Sequence, residues 1–158
     1  MKNRKLIMNI AVAVSLVLMV VGICLNLWNS VVEFAGTKHM QGVGIFTDKT
    51  GMDSGWLGTI CEVALVVVMA LTVAYLVLWV LELLKVGKPA VLAKIKNILA
   101  YVTLGLVLVA IVTGILFPIL ATSELGMPGA SIAPAVGFYL FAVGTVVAGV
   151  CELVAGRK

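Results

Sequence analysis

Four long apolar runs constrain this chain more strongly than any other feature of its sequence. None carries a charge at its centre, and each exceeds the roughly 20 helical residues needed to cross about 30 Å of hydrocarbon. Helices pair their backbone groups internally, as lipid requires, and the runs lack the two-residue alternation of barrel strands. The sequence therefore predicts an all-α membrane protein, a single four-helix antiparallel transmembrane bundle. The predicted helices span residues 6–28, 56–84, about 95–120 and about 132–155.

The composition excludes the common soluble classes. Hydrophobic residues make up 63% of the 158 residues and charged residues 11%, against roughly 45–50% and about 25% in an ordinary soluble domain. A soluble chain of this size leaves too much of its surface wet to hide so many apolar side chains. A soluble globular fold, a disordered chain and a nucleic-acid-binding module are therefore excluded.

The first apolar run is predicted to be retained as a helix. Met1–Lys5 resembles the positive start of a signal peptide, but the following run is longer than the apolar region of such a peptide. It is followed by no small-residue cleavage motif, and the bulky Ile23 before Cys24 argues against a lipoprotein site.

Basic residues divide unequally between the two sides of the predicted bundle. Three lie before the first run, four between residues 85 and 96 and two at the C-terminus, whereas the opposite side has only Lys38 and Lys49. Cytoplasmic segments of multi-pass proteins carry the excess of Lys and Arg. We therefore expect a multi-pass protein of the cell membrane with both termini cytoplasmic. Residues 29–55 and 121–131 are the predicted outer loops.

Turn residues and aromatic residues indicate where the predicted helices end. Gly87 and Pro89 end the second helix and predict a tight inner turn. Pro118 and the glycines and prolines after it are assigned to the second outer loop. Trp28 and Trp56 are predicted to mark the outer membrane boundary, where aromatic side chains collect.

The 29–55 loop is the largest part of the chain outside the predicted helices. Two β-like stretches, Val31–Phe34 and Val43–Thr47, predict a small extracellular β-hairpin. A two-stranded hairpin alone is marginal in water, so it needs the helix ends or a partner beneath it. We therefore expect this loop to be the partner-contact surface. Its candidate contact residues are Phe34, His39, Ile45, Phe46 and Asp48.

Glu62 is an ionisable residue inside the second predicted helix. A charged group within a spanning segment is costly and is a candidate functional site. Glu62, Asn26 and Asn29 form the candidate polar membrane site. The alternative is a carboxylate near the interface that is hydrogen-bonded to one of these asparagines or to Thr59.

Cys24 and Cys61 are predicted at similar depths below the outer surface, on the first and second helices. Two alternatives follow, a disulfide between these helices or two buried free thiols that pack as small apolar groups. No Cys-x-x-Cys pair occurs, so a thiol oxidoreductase of the two-cysteine kind is not indicated.

The sequence shows no arrangement typical of an enzyme. His39 shares its loop with two aspartates, but a lone histidine is a weak signal for zinc, and we expect no metal site. The Asp-Lys-Thr-Gly run at residues 48–51 matches the start of the phosphorylation motif of P-type pumps, yet it is better explained as a turn. Glu82 and Glu152 are expected near the inner helix ends, paired with neighbouring Lys or Arg. We therefore expect no catalysis and no cofactor.

Small residues recur along the first, third and fourth helices, among them Gly22, Gly114, Gly137 and Gly144. Small residues let helix backbones approach closely in lipid. The two interpretations are packing inside the four-helix bundle, which we favour, and an interface between copies.

The layout resembles that of the claudin-type four-helix membrane proteins. Trp28, followed by Phe-Ala-Gly at residues 34–36, is similar to the residues that open the claudin outer sheet. The Gly-Phe-Tyr-Leu run at residues 137–140 is similar to the start of the fourth helix in that group. The Trp-Gly-Leu-Trp signature and the paired loop cysteines are absent. The resemblance implies inward termini and a larger first outer loop with β structure.

These observations lead to one expected function and one alternative. We expect a non-catalytic structural or accessory membrane protein that contacts the lipid bilayer and a second copy or another membrane protein through its helices and outer loop. The alternative is a small oligomeric channel or transporter with Glu62 on a polar path.

Overall fold

The chain folds into four helices and one small sheet. The computed structural model describes residues 2–34, 36–43, 45, 55–125 and 130–156. The helices are α1 (Lys2–Cys24), α2 (Gly55–Leu83), α3 (Pro89–Leu125) and α4 (Val136–Gly156). The strands are β1 (Trp28–Phe34), β2 (Thr37–Val43) and β3 (Ala130–Pro134).

The prediction of four helices is confirmed, but two of them end elsewhere than predicted. The first ends at Cys24, four residues early, because the chain turns there into β1. The third runs from Pro89 to Leu125, straight through Pro118. Its 37 residues span about 55 Å at the helical rise. Assigning Pro118 to a loop was therefore wrong, and α3 extends past the other helices beside the sheet.

All four helices are long and apolar enough to cross a membrane. Large apolar side chains are exposed along every one of them, for example Val17, Val77, Leu108 and Val143. Such surfaces are covered by lipid in a bilayer and would be unfavourable in water. Length and composition therefore make the chain a multi-pass membrane protein. We call the end of the bundle that carries the sheet the sheet end, and the end that carries the α2–α3 turn the lysine end.

α1 packs along α4, α4 contacts α3, and α3 packs along α2. Glycines form the contact between α1 and α4. A Cβ atom on Gly22 would lie 2.8 Å from the Gly137 carbonyl oxygen, and one on Gly144 would lie 2.9 Å from the Ser15 carbonyl oxygen. These two backbones are therefore too close for larger residues. The interpretation of these small residues as packing inside the bundle is confirmed for this pair of helices.

The turn between α2 and α3 is a Schellman motif. The Val86 amide donates to the Leu81 carbonyl and the Lys85 amide to the Glu82 carbonyl. Lys85 has a φ of 57° and occupies the left-handed position that glycine usually takes. Pro89 begins α3, where its missing N–H costs nothing. The predicted tight inner turn is confirmed, with Lys85 in the left-handed position.

The sheet has three strands in the order β2-β1-β3. β1 pairs antiparallel with β2 from Trp28↔Val43 to Phe34↔Thr37, and antiparallel with β3 from Trp28↔Pro134 to Val32↔Ala130. The predicted hairpin exists, but its second strand is Thr37–Val43; of the predicted stretch Val43–Thr47, residues 44, 46 and 47 lie outside the described residues. The third strand was not predicted: residues 132–134 were assigned to the start of the fourth helix, which begins only at Val136, so that assignment was wrong.

Trp28 joins the sheet to the helices and is completely buried. Its indole N–H donates to the Gly114 carbonyl at 3.3 Å, and its ring packs edge-to-face on Phe117. Pro118 has no N–H to bond the carbonyl four residues earlier, which is that of Gly114. The proline therefore leaves an acceptor that the indole uses. Trp28 is thus packed inside the protein, whereas Trp56 is exposed, and the place of both at the membrane boundary stays a prediction.

Candidate functional site

The outer edge of the sheet is formed by β2. Its residues Thr37 to Gln41 are exposed, and Met40 has 70% of its surface accessible. Within the part of the chain that the structure describes, no strand pairs with this edge. Edge strands present unpaired backbone N–H and C=O groups that can pair with another chain.

The opposite edge of the sheet, formed by β3, is closed by α3. The Ile132 amide donates to the Thr122 hydroxyl at 3.0 Å. The Pro134 nitrogen has no proton to donate, which suits a sheet edge. The two edges of the sheet therefore differ, and β2 is the open one.

The register shows which residues of β2 turn their backbone groups outward. The Ile132 amide donates to Thr122 on α3 and therefore points away from β1. Ser30, which lies opposite Ile132 on β1, is therefore not hydrogen-bonded to β3 and directs its own N–H and C=O groups to β2. Ser30 lies opposite Gln41, which makes that pair hydrogen-bonded. Alternation along the strand then places the free backbone groups at Lys38, Met40 and Gly42.

The structure places the predicted contact residues in different surroundings. His39 is exposed on β2, as expected of a contact residue. Ile45 is half-buried and packs against the core. Phe34 ends β1, and Phe46 and Asp48 lie outside the described residues. The exposed candidate surface is therefore β2 itself, and its positions 38 and 40 were missed because the predicted strand was displaced.

Two members of the predicted polar membrane site converge at Gly42. Asn29 lies opposite Gly42 across the β1–β2 pair. A side chain on Gly42 would overlap the Asn26 amide, so this glycine makes room for the asparagine. Glu62 is half-buried on α2, beside Cys61. The two asparagines thus support the sheet, and a polar path through Glu62 stays a prediction.

The predicted alternatives for the cysteines are resolved by the faces on which they lie. Cys24 is exposed and Cys61 is buried, and both are free thiols. Cys61 faces α3 and donates to the Ala110 carbonyl at 3.4 Å. A disulfide between them is absent because Cys24 lies on the outside of the bundle. The description as free thiols holds, with Cys24 exposed and not buried.

A second polar cluster lies at the lysine end. Lys96 on α3 forms an ion pair with Glu82 on α2, and its ammonium lies 5.5 Å from the centre of the Tyr75 ring. The buried Tyr75 hydroxyl donates to the buried Asn9 side chain on α1 at 3.1 Å. The predicted pairing of Glu82 with a lysine is confirmed.

A cavity of about 560 Å³ opens at this cluster. Its polar lining includes Lys5, Asn9, Glu82 and Lys96, and Trp79 belongs to its wall. Besides the basic residues of the predicted inner loop, the sequence contained a signal for this polar cluster. Asn9 and Lys96 are polar residues within or next to apolar runs, and both belong to the same end of the bundle.

The expected pairing of Glu152 was wrong. Its side chain is fully buried, and neither carboxyl oxygen has a hydrogen-bond partner within the described residues. The side chain lies inside the bundle on α4, so it does not reach the basic residues at the helix ends as predicted. The position of Glu152 near a helix end did not indicate whether its side chain faces the interior of the bundle or the surface.

Among the described residues, no three His, Cys, Asp or Glu side chains gather closely enough to hold a metal ion. No protein-family model matches the chain, and neither a curated protein nor a solved structure shows significant similarity to it. The physical arrangement of the two sites therefore has to support any functional proposal.

Proposed function

We propose that this protein is a non-catalytic structural or accessory membrane protein that assembles with a second copy of itself through the outer edge of β2. The observation that carries the proposal is the difference between the two sheet edges. α3 closes the β3 edge through Thr122, whereas β2 turns the backbone groups of Lys38, Met40 and Gly42 outward. Addition of a strand to such an edge is a common mode of recognition.

The choice of a second copy rests on self-complementarity. In an antiparallel pairing of two β2 strands centred on Met40, Lys38 lies opposite Gly42 of the second copy and Met40 lies opposite Met40. Outward-facing backbone groups then meet outward-facing ones, as an antiparallel ladder requires. The two Lys38 charges do not oppose each other, which would be unfavourable. A two-fold axis relates the copies, as in most homodimers.

The proposal includes an orientation in the membrane. The α2–α3 turn and both chain termini belong to the lysine end, and the excess of basic residues there supports a cytoplasmic location in the cell membrane. The sheet then lies outside. A four-helix layout with an outer sheet is also what the resemblance to claudin-type proteins implies, and lateral association of copies fits that layout.

Crosslinking at position 40 tests the proposed pairing. In a background without native cysteines, Met40→Cys should give a covalent dimer with a short bifunctional maleimide in the membrane, because the two positions face each other. The matched control is Glu33→Cys, an exposed position on the central strand β1. Equal dimer yields from both variants, or none from Met40→Cys, would refute pairing through β2.

A pair of proline variants separates strand pairing from mere proximity. Met40→Pro removes a backbone N–H that points outward, so the folded monomer should survive while the dimer is lost. Gln41→Pro removes an N–H that bonds β1, so it should damage the sheet itself. Size-exclusion chromatography with light scattering measures the dimer, and circular dichroism measures folding. A Met40→Pro protein that dimerises as well as the wild type contradicts the proposal.

A further inference from the structure

Glu152 is the buried ionisable group that the contact surface leaves unexplained. It lies on α4 within a helix that is long and apolar enough to cross a membrane. None of its surface is accessible, and both carboxyl oxygens are without hydrogen bonds in the described part of the chain. An ionised carboxylate in such surroundings costs several kcal/mol or more, because no partner replaces the lost water.

A polar group beside Glu152, the hydroxyl of Thr103, also lacks a hydrogen-bond partner. The Thr103 hydroxyl on α3 is fully buried and faces Glu152, yet it also completes no hydrogen bond of normal geometry. A carboxylic acid has an O–H donor as well as acceptor capacity, whereas a carboxylate only accepts. The Thr103 hydroxyl can donate to the carboxylate or accept from the acid, so it can bond either form, and the burial of Glu152 is what makes the charged form costly.

Among the side chains that the structure describes, the other helices present no lysine or arginine to Glu152 that would hold it ionised. Tyr75 on α2 and Cys151 on α4 are the titratable side chains that interact with it electrostatically, and both are neutral at pH 7. α3 presents Thr103, and the Tyr75 hydroxyl donates to the side chain of Asn9 on α1. The surroundings therefore favour the neutral acid.

A route to water exists on one side. Asn9 accepts from Tyr75 and also lines the cavity of about 560 Å³ at the lysine end. A polar cavity of this size holds several water molecules. Lys5, Glu82 and Lys96 on its wall offer charged groups to which such water can hydrogen-bond. The Tyr75–Asn9 hydrogen bond thus joins a side chain that interacts electrostatically with Glu152 to the wall of the cavity.

We propose that Glu152 is a proton-binding site, a carboxylic acid that is hydrogen-bonded to Thr103 and exchanges its proton with water that enters from the lysine-end cavity past Tyr75 and Asn9. The ligand is a proton taken from water, and its release leaves a carboxylate on Glu152 and a hydrated proton in the cavity. This inference is independent of pairing through β2.

Infrared spectroscopy of the purified protein in lipid tests the site directly. The wild type at neutral pH should show the carbonyl stretching band of a protonated carboxylic acid, and Glu152→Gln should lose it. Glu62→Gln is the matched control, since it removes a carboxyl from a different helix and should retain the band. Loss of the band in Glu62→Gln with retention in Glu152→Gln would overturn the proposal.

A second variant keeps the test decisive should Glu152→Gln fail to fold. Thr103→Val should shift the frequency of the same band because the acid loses its hydrogen-bond partner, and Thr103→Ser should restore it. Replacing Asn9 by Leu should slow the deuterium exchange of the band without removing it.

The alternative occupant is a metal cation bound to an ionised carboxylate. Spectra recorded with sodium and with choline as the buffer cation distinguish the two. Carboxylate bands that appear only with sodium would show a cation site and refute proton binding. A wild type without any protonated-acid band at neutral pH would refute it as well.

Discussion

The close contact between α1 and α4 predicts that Gly137→Ala destabilises the bundle. A Cβ atom on Gly137 would lie 2.5 Å from the Asn26 carbonyl oxygen and 2.7 Å from that of Gly22. Ordinary contacts between carbon and oxygen are about 3.3–3.6 Å. Both obstacles are backbone atoms, so no side-chain rotation can relieve the overlap.

The magnitude follows from the separation that the new methyl group imposes. To restore an ordinary contact, α4 must move by about 0.6 Å from the Gly22 carbonyl on α1 and by about 0.8 Å from the Asn26 carbonyl just after α1. A gap of roughly 0.5–1 Å forfeits a quarter to a half of the attraction of each pair of atoms affected. Overpacking of this kind costs roughly 1–3 kcal/mol of unfolding free energy.

The assay is unfolding in mixed micelles of rising SDS content, followed by circular dichroism. Gly105→Ala is the matched control, because Gly105 is an exposed helical glycine and a Cβ atom added to it would have no neighbouring atom within 4 Å. Alanine is the better helix former there by up to about 1 kcal/mol. A Gly137→Ala protein as stable as Gly105→Ala would refute the described contact between α1 and α4.

Two further predictions concern thiol reactivity and the ion pair at the lysine end. In the folded protein, N-ethylmaleimide should modify Cys24, which is exposed, whereas Cys61 should react only after unfolding because it is buried against α3. Mass spectrometry of the adducts measures which thiol has reacted. Rapid modification of Cys61 in the folded protein would contradict its buried position. Glu82→Ala should lower the unfolding free energy by roughly 1–3 kcal/mol, because it strands the Lys96 ammonium, which is 7% exposed. Lys96→Met should cost less, since it leaves only the more exposed carboxylate unpaired, and the reverse order in SDS titration would refute this reasoning.

The helices could be predicted from the sequence because their signal is local. Length and apolar composition suffice for a spanning helix, and the residues between two such runs follow by elimination. The tight α2–α3 turn was predictable for the same reason, from Gly87 and Pro89. The actual left-handed residue, Lys85, was not, since lysine carries no preference for that conformation.

The sheet was only partly predictable because its pairing is not local. β3 is a five-residue strand that ends in proline and lies far along the chain from its partner β1. Nothing within Ala130–Pro134 indicates which strand it joins. The displaced β2 has the same cause, since the sequence of Thr37–Val43 is mostly polar and has little β character until β1 is placed beside it.

The candidate sites show where sequence reasoning stops. A charge inside an apolar run drew attention to Glu62, yet the fully buried carboxyl is that of Glu152. Both lie within apolar runs, and the difference arises from the face of the helix that packs inward. Pro118 offered a usable signal: a proline inside a helix frees the carbonyl four residues before it, and Trp28 occupies that acceptor.

The packing of α1 along α4 has a consequence for how the protein is made. Of the four described helices, α1 leaves the ribosome before α4, so it finds its main neighbour only after residues 136–156 have been synthesised. Until then the glycine-lined side of α1 has no helix packed against it. During the same period β1 lacks its partner strand β3. A chain cut short before Ala130 would therefore lack both the contact between α1 and α4 and the β3 edge of the sheet, and would leave the glycine-lined side of α1 and one side of β1 without their partners.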